Sequence, residues 1–261
     1  MRLHSLFFSW IAGFILLIQG GGTFSSSVEE GVADTKTEIS AQSILERADE
    51  IRFPRESFQV NVAISTVSSG QPGDQYQYQV LSKGNENSIV RITEPASERG
   101  QVILMKGRDL WIFMPSVSQP IRLSLSQRLT GQVANGDIAR ANFTGDYHPQ
   151  LLRTESIDGQ DFYVLGLTGV DRSVTYQKVL LWVNKSSFRP FKAEFFSVSG
   201  RLLKTSRYEN FDTILGEMRP TRIIMEDALK SGEISVLDYS DMKLRELPDK
   251  LFTKDYLKKL E

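Results

Sequence analysis

The sequence contains no cysteine among its 261 residues. A disulfide framework, a thiolate metal site and a cysteine nucleophile are therefore excluded. Histidine is almost as scarce, because His4 and His148 are the only two in the chain. Zinc sites are built mainly from His and Cys ligands, so we expect no metal site and no cofactor.

The sequence also lacks the motif of a serine hydrolase. No G-x-S-x-G segment occurs, and a Ser-His-Asp triad would have to use His148, with Asp146 two residues away. The spacing of the many carboxylates predicts no acid-base pair. We therefore expect a protein that is not an enzyme.

Neither sign of charge is in excess. The chain has 31 basic and 32 acidic residues and a net charge of −1. A nucleic-acid-binding surface normally shows as a surplus or a stripe of Lys and Arg, so no nucleic-acid partner is expected.

Long hydrophobic runs are missing as well. Leu6–Ile18 is an apolar stretch of 13 residues, whereas a membrane-spanning helix needs roughly 20. Basic MRLH precedes this stretch and GGGTFSSS follows it, which is typical of a signal peptide cleaved between about residues 20 and 27. The alternative is a membrane anchor. We expect a signal peptide over residues 1–25, a disordered leader over 26–38, one domain over 39–261, and a periplasmic mature protein.

One amphipathic helix opens the predicted domain. Apolar residues from Ile39 to Ile51 fall on one helical face, Ser40 is a suitable N-cap, and Pro54 ends the pattern. A second helix is predicted over 249–259, because Leu247, Leu251, Phe252, Tyr256, Leu257 and Leu260 recur at helical spacing.

Between the helices the pattern is that of strands. SFQVNVAIS and QYQYQVLSK alternate apolar and polar residues, and turn signals recur about every 8–12 residues, which indicates a largely antiparallel sheet. Several later strands, such as VILM (102–105) and LWIFM (110–114), are apolar on both faces. Their second face must be covered by another sheet, as in a β-sandwich, or enclosed by a curled sheet that holds the helices or a ligand.

An insertion over residues 123–147 interrupts the strands. It contains Gly131, Gly136 and Gly145, with short helical patches predicted at Gln127–Val133 and Asp137–Phe143. It is too long for a simple hairpin loop, and loops of this length are usually functional or disordered.

From about Ile39 onward the sequence resembles the LolA-like proteins, a family of periplasmic carriers. The segments that carry the resemblance are structural rather than catalytic: ILMKGRDLWIFMPSVSQPIRLS (103–124), GQVANGDIARANFTGDY (131–147), LLWVNKSSFRPFKAEFFSVSGRLLK (180–204) and LFTKDYLKKL (251–260). The resemblance implies a mainly β fold with helices (α+β), in which a single curved antiparallel sheet forms an unclosed β-barrel capped by helices around a hydrophobic cavity.

That fold implies a carrier of lipid or lipoprotein acyl chains toward the outer membrane. An acyl chain of about 14 methylenes, at about 0.8 kcal/mol each, is worth on the order of 10 kcal/mol out of water, so a carrier needs a large apolar lining. We expect the aromatic face of 109–114 to line the cavity beside two residues of the adjacent strand. The candidate lining residues are Ile103, Met105, Trp111, Phe113, Trp182, Phe195 and Met225.

The insertion is the candidate lid of that cavity, through Leu129, Val133, Ile138 and Phe143. The alternative is a rigid cap that only completes the core. As partners, the resemblance implies lipoprotein or lipid acyl chains, an inner-membrane exporter and an outer-membrane acceptor, with the carrier itself a monomer. Two other functions stay open: a periplasmic lipid-binding sensor, and an adaptor subunit of an RND-type exporter.

Overall fold

In a computed structural model of the chain, residues 39–257 are described, apart from Asn85 and Ala141. The predicted signal peptide and leader, and Leu260 of the predicted C-terminal helix, lie outside the described residues. Ile39–Glu261 forms one compact unit.

The described residues form fifteen strands and three α-helices, with a 3₁₀ turn at Asp249–Leu251. The helices are α1 (Ala41–Arg52), α2 (Asn135–Ala139) and α3 (Lys254–Leu257). The strands are β1 (Phe58–Ser68), β2 (Gln71–Lys83), β3 (Asn87–Glu94), β4 (Val102–Lys106), β5 (Asp109–Phe113), β6 (Ile121–Leu123), β7 (Arg128–Thr130), β8 (Val133–Ala134), β9 (Tyr147–Ile157), β10 (Gln160–Gly169), β11 (Lys178–Asn184), β12 (Pro190–Phe196), β13 (Leu202–Ile214), β14 (Glu217–Asp227) and β15 (Ile234–Leu244).

Thirteen of these strands form a single antiparallel sheet, in the order β6-β5-β4-β3-β2-β1-β15-β14-β13-β12-β11-β10-β9. Its two outermost strands, β6 and β9, are not paired with each other, so the barrel is not closed. Tight turns join most neighbours; at Asp158-Gly159 both residues have positive φ, which matches the twist of a two-residue hairpin. The predicted fold class is confirmed, and the β-sandwich alternative is wrong.

The sheet curves around α1 and α2. Helix α1 packs on β9, β12 and β14, whereas α2 packs on β2 and β3, which lie on the other side of β1 and β15 in the strand order. Buried residues from both groups of strands and from both helices join in one hydrophobic core. We call the face of the sheet toward this core the inner face and the opposite face the outer face.

Helix α1 forms as the sequence predicts. Ser40 is its N-cap and its Oγ accepts a hydrogen bond from the Ser43 amide at 3.1 Å. The helix ends at Arg52, and Phe53 is extended because Pro54 follows it. Ile44, Leu45 and Ala48 are completely buried in the core.

The insertion and the C-terminal segment differ from the prediction. The patch predicted as helix at Gln127–Val133 is instead the small hairpin of β7 and β8, and the second patch is one helical turn, α2. The C-terminal residues form a 3₁₀ turn and the short helix α3 rather than one helix over 249–259. They also pack on the outer face of the sheet, not on the concave side where the helix was expected.

This C-terminal segment explains why β4 and β5 are apolar on both faces. Leu247, Phe252 and Leu257 pack against an outer cluster formed by Leu81, Ile89, Val102, Leu104 and Phe113. Ile103 and Met105, which alternate with these positions along β4, belong to the inner core. Both faces of the strand are therefore covered by the chain itself.

Phe113 provides a test of this packing, because its side chain is 5% exposed. Phe113→Asp places a carboxylate beneath the C-terminal segment, where it has no partner, and is expected to lower the free energy of unfolding by at least about 3 kcal/mol. Val198→Asp, at a side chain that is 82% exposed, is the control and should change it by less than about 0.5 kcal/mol. Denaturant melts of the two variants compare them; a near-wild-type melt for Phe113→Asp would contradict the packing.

Candidate functional site

A cavity of about 400 Å³ lies between α1, the inner face of the sheet and the insertion. Its size falls in the range of small-molecule pockets, roughly 300–1,000 Å³. Three walls form it, and each comes from a different part of the chain.

The first wall is the sheet. Val60 and Val62 alternate along β1 toward the cavity, and each is 1% exposed. Val80 of β2 pairs with Val60, and Tyr239 of β15 pairs with Val62, so the four side chains share one face. Because directly paired residues of antiparallel strands lie side by side, this wall is continuous and mostly apolar.

The second wall is the C-terminal end of α1 and the residues after it. Phe53 stacks on Phe58 and meets Tyr239 edge-on, with ring centroids 5.7 Å apart in both pairs. The polar part of this wall carries an ion pair between Glu50 and Arg55.

The third wall is the insertion, and Asp49 of α1 holds it in place. One carboxylate oxygen of Asp49 accepts hydrogen bonds from the Phe143 amide at 2.9 Å and from the Thr144 amide and hydroxyl, both at 2.7 Å. The other oxygen pairs with Arg52 at 3.1 Å. Arg52 itself lies over the Phe143 ring, 4.6 Å from its centroid.

Burial raises the pKa of Asp49 above its ordinary value, while Arg52 and the donors of Phe143 and Thr144 act in the opposite direction. A carboxyl whose folded pKa lies above its unfolded pKa stabilises the fold less as the pH rises through the folded value. Above its folded pKa the ionised Asp49 therefore adds less to the stability of the fold, while its hydrogen bonds still fix the position of residues 143–144.

Asp137 of α2 is the second point of attachment. Its carboxylate accepts hydrogen bonds from the Tyr176 hydroxyl at 2.7 Å, the Ala134 amide at 2.8 Å and Lys204 Nζ at 2.9 Å. Side chains of β13 and of the segment before β11 thereby hold α2 against the cavity.

Two polar groups of the lining have no hydrogen-bond partner among the described residues. They are the hydroxyl of Tyr239 and the side-chain oxygen of Asn142, and both atoms are buried. Burial raises the pKa of Tyr239, so its hydroxyl stays protonated and can donate a hydrogen bond.

Trp111 and Phe113 are not at this cavity, which corrects the expected lining. In the β4–β5 register Trp111 pairs with Leu104 and Phe113 with Val102, so both aromatic residues lie in the outer cluster. Ile103 pairs instead with Ile112. The prediction placed the aromatic residues beside Ile103 and Met105, which is the wrong strand phase. Trp111 is covered by Lys254, whose Nζ lies 4.1 Å from the ring centroid.

Trp182 is also on the outer face, so its expected place in the lining is wrong too. It packs with Phe162 and Val164 in a separate cluster, and its indole N–H donates to Glu155 at 3.2 Å. Lys192 Nζ lies 4.1 Å from the indole ring centroid on the same surface.

The other four candidates are on the inner face but do not line the cavity. Ile103 and Met105 are each 1% exposed within the core. Phe195 and Met225 line a second, much smaller space of about 20 Å³, beside Arg52. The residues that the prediction missed, Val60 and Val62 among them, follow the regular alternation of SFQVNVAIS, which was the signal for them.

All four lid candidates lie against the core. Val133, Ile138 and Phe143 are buried in it and Leu129 packs on it, while Ile138 also lines the cavity. A Cβ atom at Gly136 would collide with the Thr175 side chain, so this glycine permits close packing of α2. Whether the insertion opens stays a prediction.

Further features bear on other functions. His148 is exposed on β9. In the part of the chain that is described, no group of three or more His, Asp or Glu side chains could hold a metal ion. None of the helices within that part has the length and apolarity to cross a membrane.

Comparisons with known proteins identify similar chains. A family model described as "Uncharacterized protein" matches residues 84–259. The crystal structure of a LolA superfamily protein from Nitrosomonas europaea is 85% identical and matches 84% of this chain and all of that one, with a TM-score of 0.81. No curated protein matches.

Two more distant structures share the fold. A putative outer membrane lipoprotein-sorting protein domain from Vibrio parahaemolyticus is 21% identical, with a TM-score of 0.72 over 84% of this chain and 98% of that one. A DUF1329 family protein from Desulfovibrio piger is 22% identical, with a TM-score of 0.71 over 83% and 97%.

The attachment of the insertion by Asp49 can be tested by mutation. Asp49→Ala leaves Arg52 buried without its partner carboxylate and is expected to cost about 3–5 kcal/mol of folding free energy. Glu209→Ala, which breaks an exposed pair with Arg207, is the control and should cost under about 1 kcal/mol.

Replacing both charges, with Asp49→Leu and Arg52→Met, should restore the part of the stability lost by leaving Arg52 without its carboxylate. The donors of Phe143 and Thr144 still lose Asp49 as their acceptor, so hydrogen exchange should accelerate at the Phe143 and Thr144 amides. Unchanged exchange in this double variant would show that Asp49 does not hold the insertion.

Proposed function

Because the chain belongs to the LolA superfamily, we propose that it is a carrier that binds an acyl chain of a lipid or lipoprotein in the cavity beneath α1 and moves it toward the outer membrane. The description of the Vibrio parahaemolyticus relative as a putative outer membrane lipoprotein-sorting protein domain supports this direction of transfer.

The observation that carries the proposal is the composition of the cavity walls. Val60, Val62 and Val80 form the sheet wall together with Phe58 at the start of β1, Phe53 belongs to the helix wall, and Ile138 faces them from the insertion. A pocket of this kind removes apolar ligand surface from water, which is the dominant contribution to binding an acyl chain.

Ion pairs hold the insertion over that pocket. Release of a chain requires the pocket to open, and the 142–144 segment is attached to α1 through hydrogen bonds to Asp49 and through the contact of Phe143 with the core. In the proposed mechanism the insertion acts as the lid, and movement of residues 135–144 away from α1 joins the main cavity to the small space lined by Phe195 and Met225.

We propose that the carrier works in the periplasm after removal of a signal peptide over residues 1–25, with 26–38 as a leader and 39–261 as the binding domain. Donor and acceptor would be an inner-membrane exporter and an outer-membrane receptor, and the carrier would act as a monomer without catalysis. The resemblance of the sequence from about Ile39 onward to periplasmic carriers supports this assignment.

Filling the cavity tests the binding function. Val80→Trp inserts a large ring between β2 and α1. It should weaken the binding of a fluorescent fatty acid at least about tenfold and lower the free energy of unfolding by about 1–3 kcal/mol. Val236→Trp is the matched control, because Val236 is half-buried on the opposite face of β15 and should leave binding intact. If wild type itself binds no acyl ligand, the carrier function fails and an adaptor role takes its place.

Cell fractionation tests the location. The full chain, expressed in a Gram-negative host, should appear in the periplasmic fraction with a new N-terminus between residues 20 and 27, as expected for a cleaved signal peptide. Retention of the first residues in a carbonate-resistant membrane fraction would identify the segment as an anchor.

A further inference from the structure

The polar groups of the cavity are not explained by an acyl chain alone. Tyr239 is 8% exposed and lines the cavity, and its hydroxyl has no hydrogen-bond partner in the described part of the chain. The buried side-chain oxygen of Asn142 also lacks a hydrogen-bond partner among the described residues. Buried polar groups in folded proteins are almost always paired, so a ligand that supplied the missing partners would bind with a matching orientation.

The two groups call for different hydrogen bonds. The Tyr239 hydroxyl can donate to a carbonyl oxygen, and the Asn142 side-chain oxygen can accept from an N–H or O–H group. A head group with a carbonyl acceptor and an N–H donor matches the hydrogen bonds that these two lining residues can make. An amide has this property, whereas an ester of the same shape lacks the N–H.

The charges of the lining disfavour a negatively charged head group. Four lining side chains are carboxylates: Glu46, Asp49, Glu50 and Asp137. Among the described residues that line the cavity Arg55 is the one cation, and it is already paired with Glu50. Arg52 and Lys204, the partners of Asp49 and Asp137, lie outside this lining. A fatty-acid carboxylate would therefore lose its hydration without gaining an unpaired cation.

We propose that the cavity selects acyl chains joined to an uncharged amide, with Tyr239 donating to the amide carbonyl and Asn142 accepting from the amide N–H. This inference rests on the proposed acyl-binding function and adds the chemistry of the group next to the chain. The apolar walls then hold the first part of the chain, and the polar groups fix which end of the ligand lies beside the insertion.

Two ligands that differ only in the N–H test the proposal: N-methyldodecanamide and methyl dodecanoate, each titrated against bound N-phenylnaphthylamine. Asn142→Leu should weaken binding of the amide about three- to tenfold and leave the ester unchanged, since only the amide loses a hydrogen bond. Tyr239→Phe should weaken binding of the amide by a similar factor. Dodecanoate at neutral pH should bind more weakly than the amide.

Tyr76→Phe is the matched control. It removes a tyrosine hydroxyl from β2 that donates to Glu98 at 3.2 Å and does not line the cavity. The affinity for both ligands should therefore stay unchanged. Tyr239→Phe should melt at or above the wild-type temperature in the absence of ligand, because it removes an unpaired buried hydroxyl. A clear loss of stability would assign that hydroxyl a structural role and overturn the proposal.

The outcomes separate the two proposals. The amide selection is overturned if both Tyr239→Phe and Asn142→Leu bind the amide with wild-type affinity. It is also overturned if Asn142→Leu weakens binding of the amide and the ester equally. Neither result contradicts acyl binding. Dodecanoate binding as tightly as the amide overturns the amide selection as well. If none of the three ligands displaces the fluorophore from wild type, both proposals fail.

Discussion

The architecture depends on one constraint: apolar residues on both faces of a single thirteen-stranded sheet must be kept from water. A sandwich would meet this need with a second sheet, but here the sheet curves and covers its inner face with α1 and the insertion. The outer face is covered only where it is most apolar, by Leu247, Phe252 and Leu257 over β4 and β5. The cavity beneath α1 is the part of the inner face that these elements leave uncovered.

Buried charges determine how the insertion sits on that face. Asp49–Arg52 and Asp137–Lys204 are both almost completely buried. Buried ion pairs contribute little net stability, since the loss of hydration offsets their attraction, but breaking one is costly. They give the insertion one preferred position. They contribute less net free energy to holding it there than an equal area of packed apolar side chains would. This combination fits the proposed lid, which would have to be placed accurately and then move.

Sequence patterns predicted the sheet, α1 and its caps, because these depend on local signals such as alternation, Ser40 and Pro54. They did not predict which face of β5 meets the core. Trp111 and Phe113 lie on one face and Leu110 and Ile112 on the other, and both sets are apolar, so the phase depends on the distant segment around Leu247. The cavity wall at Val60 and Val62 followed from alternation, but the partnerless state of Tyr239 depends on the three-dimensional surroundings of its hydroxyl.

The position of β1 in the sheet has a consequence for how the chain acquires its structure. Strand β1 is the first of the described strands, and it lies between β2 and β15, the last of them. It pairs with β15 from Phe58↔Leu244 to Val67↔Ile234. Contacts of such large sequence separation form slowly, because the entropy of closing the intervening loop opposes them. During vectorial synthesis or export the hairpins of the N-terminal strands can form early. Strand β15, the second neighbour of β1, emerges after all the other described strands. One edge of β1 stays unpaired until nearly the whole polypeptide is free, and a holdase chaperone that shields this edge would protect the nascent chain from aggregation.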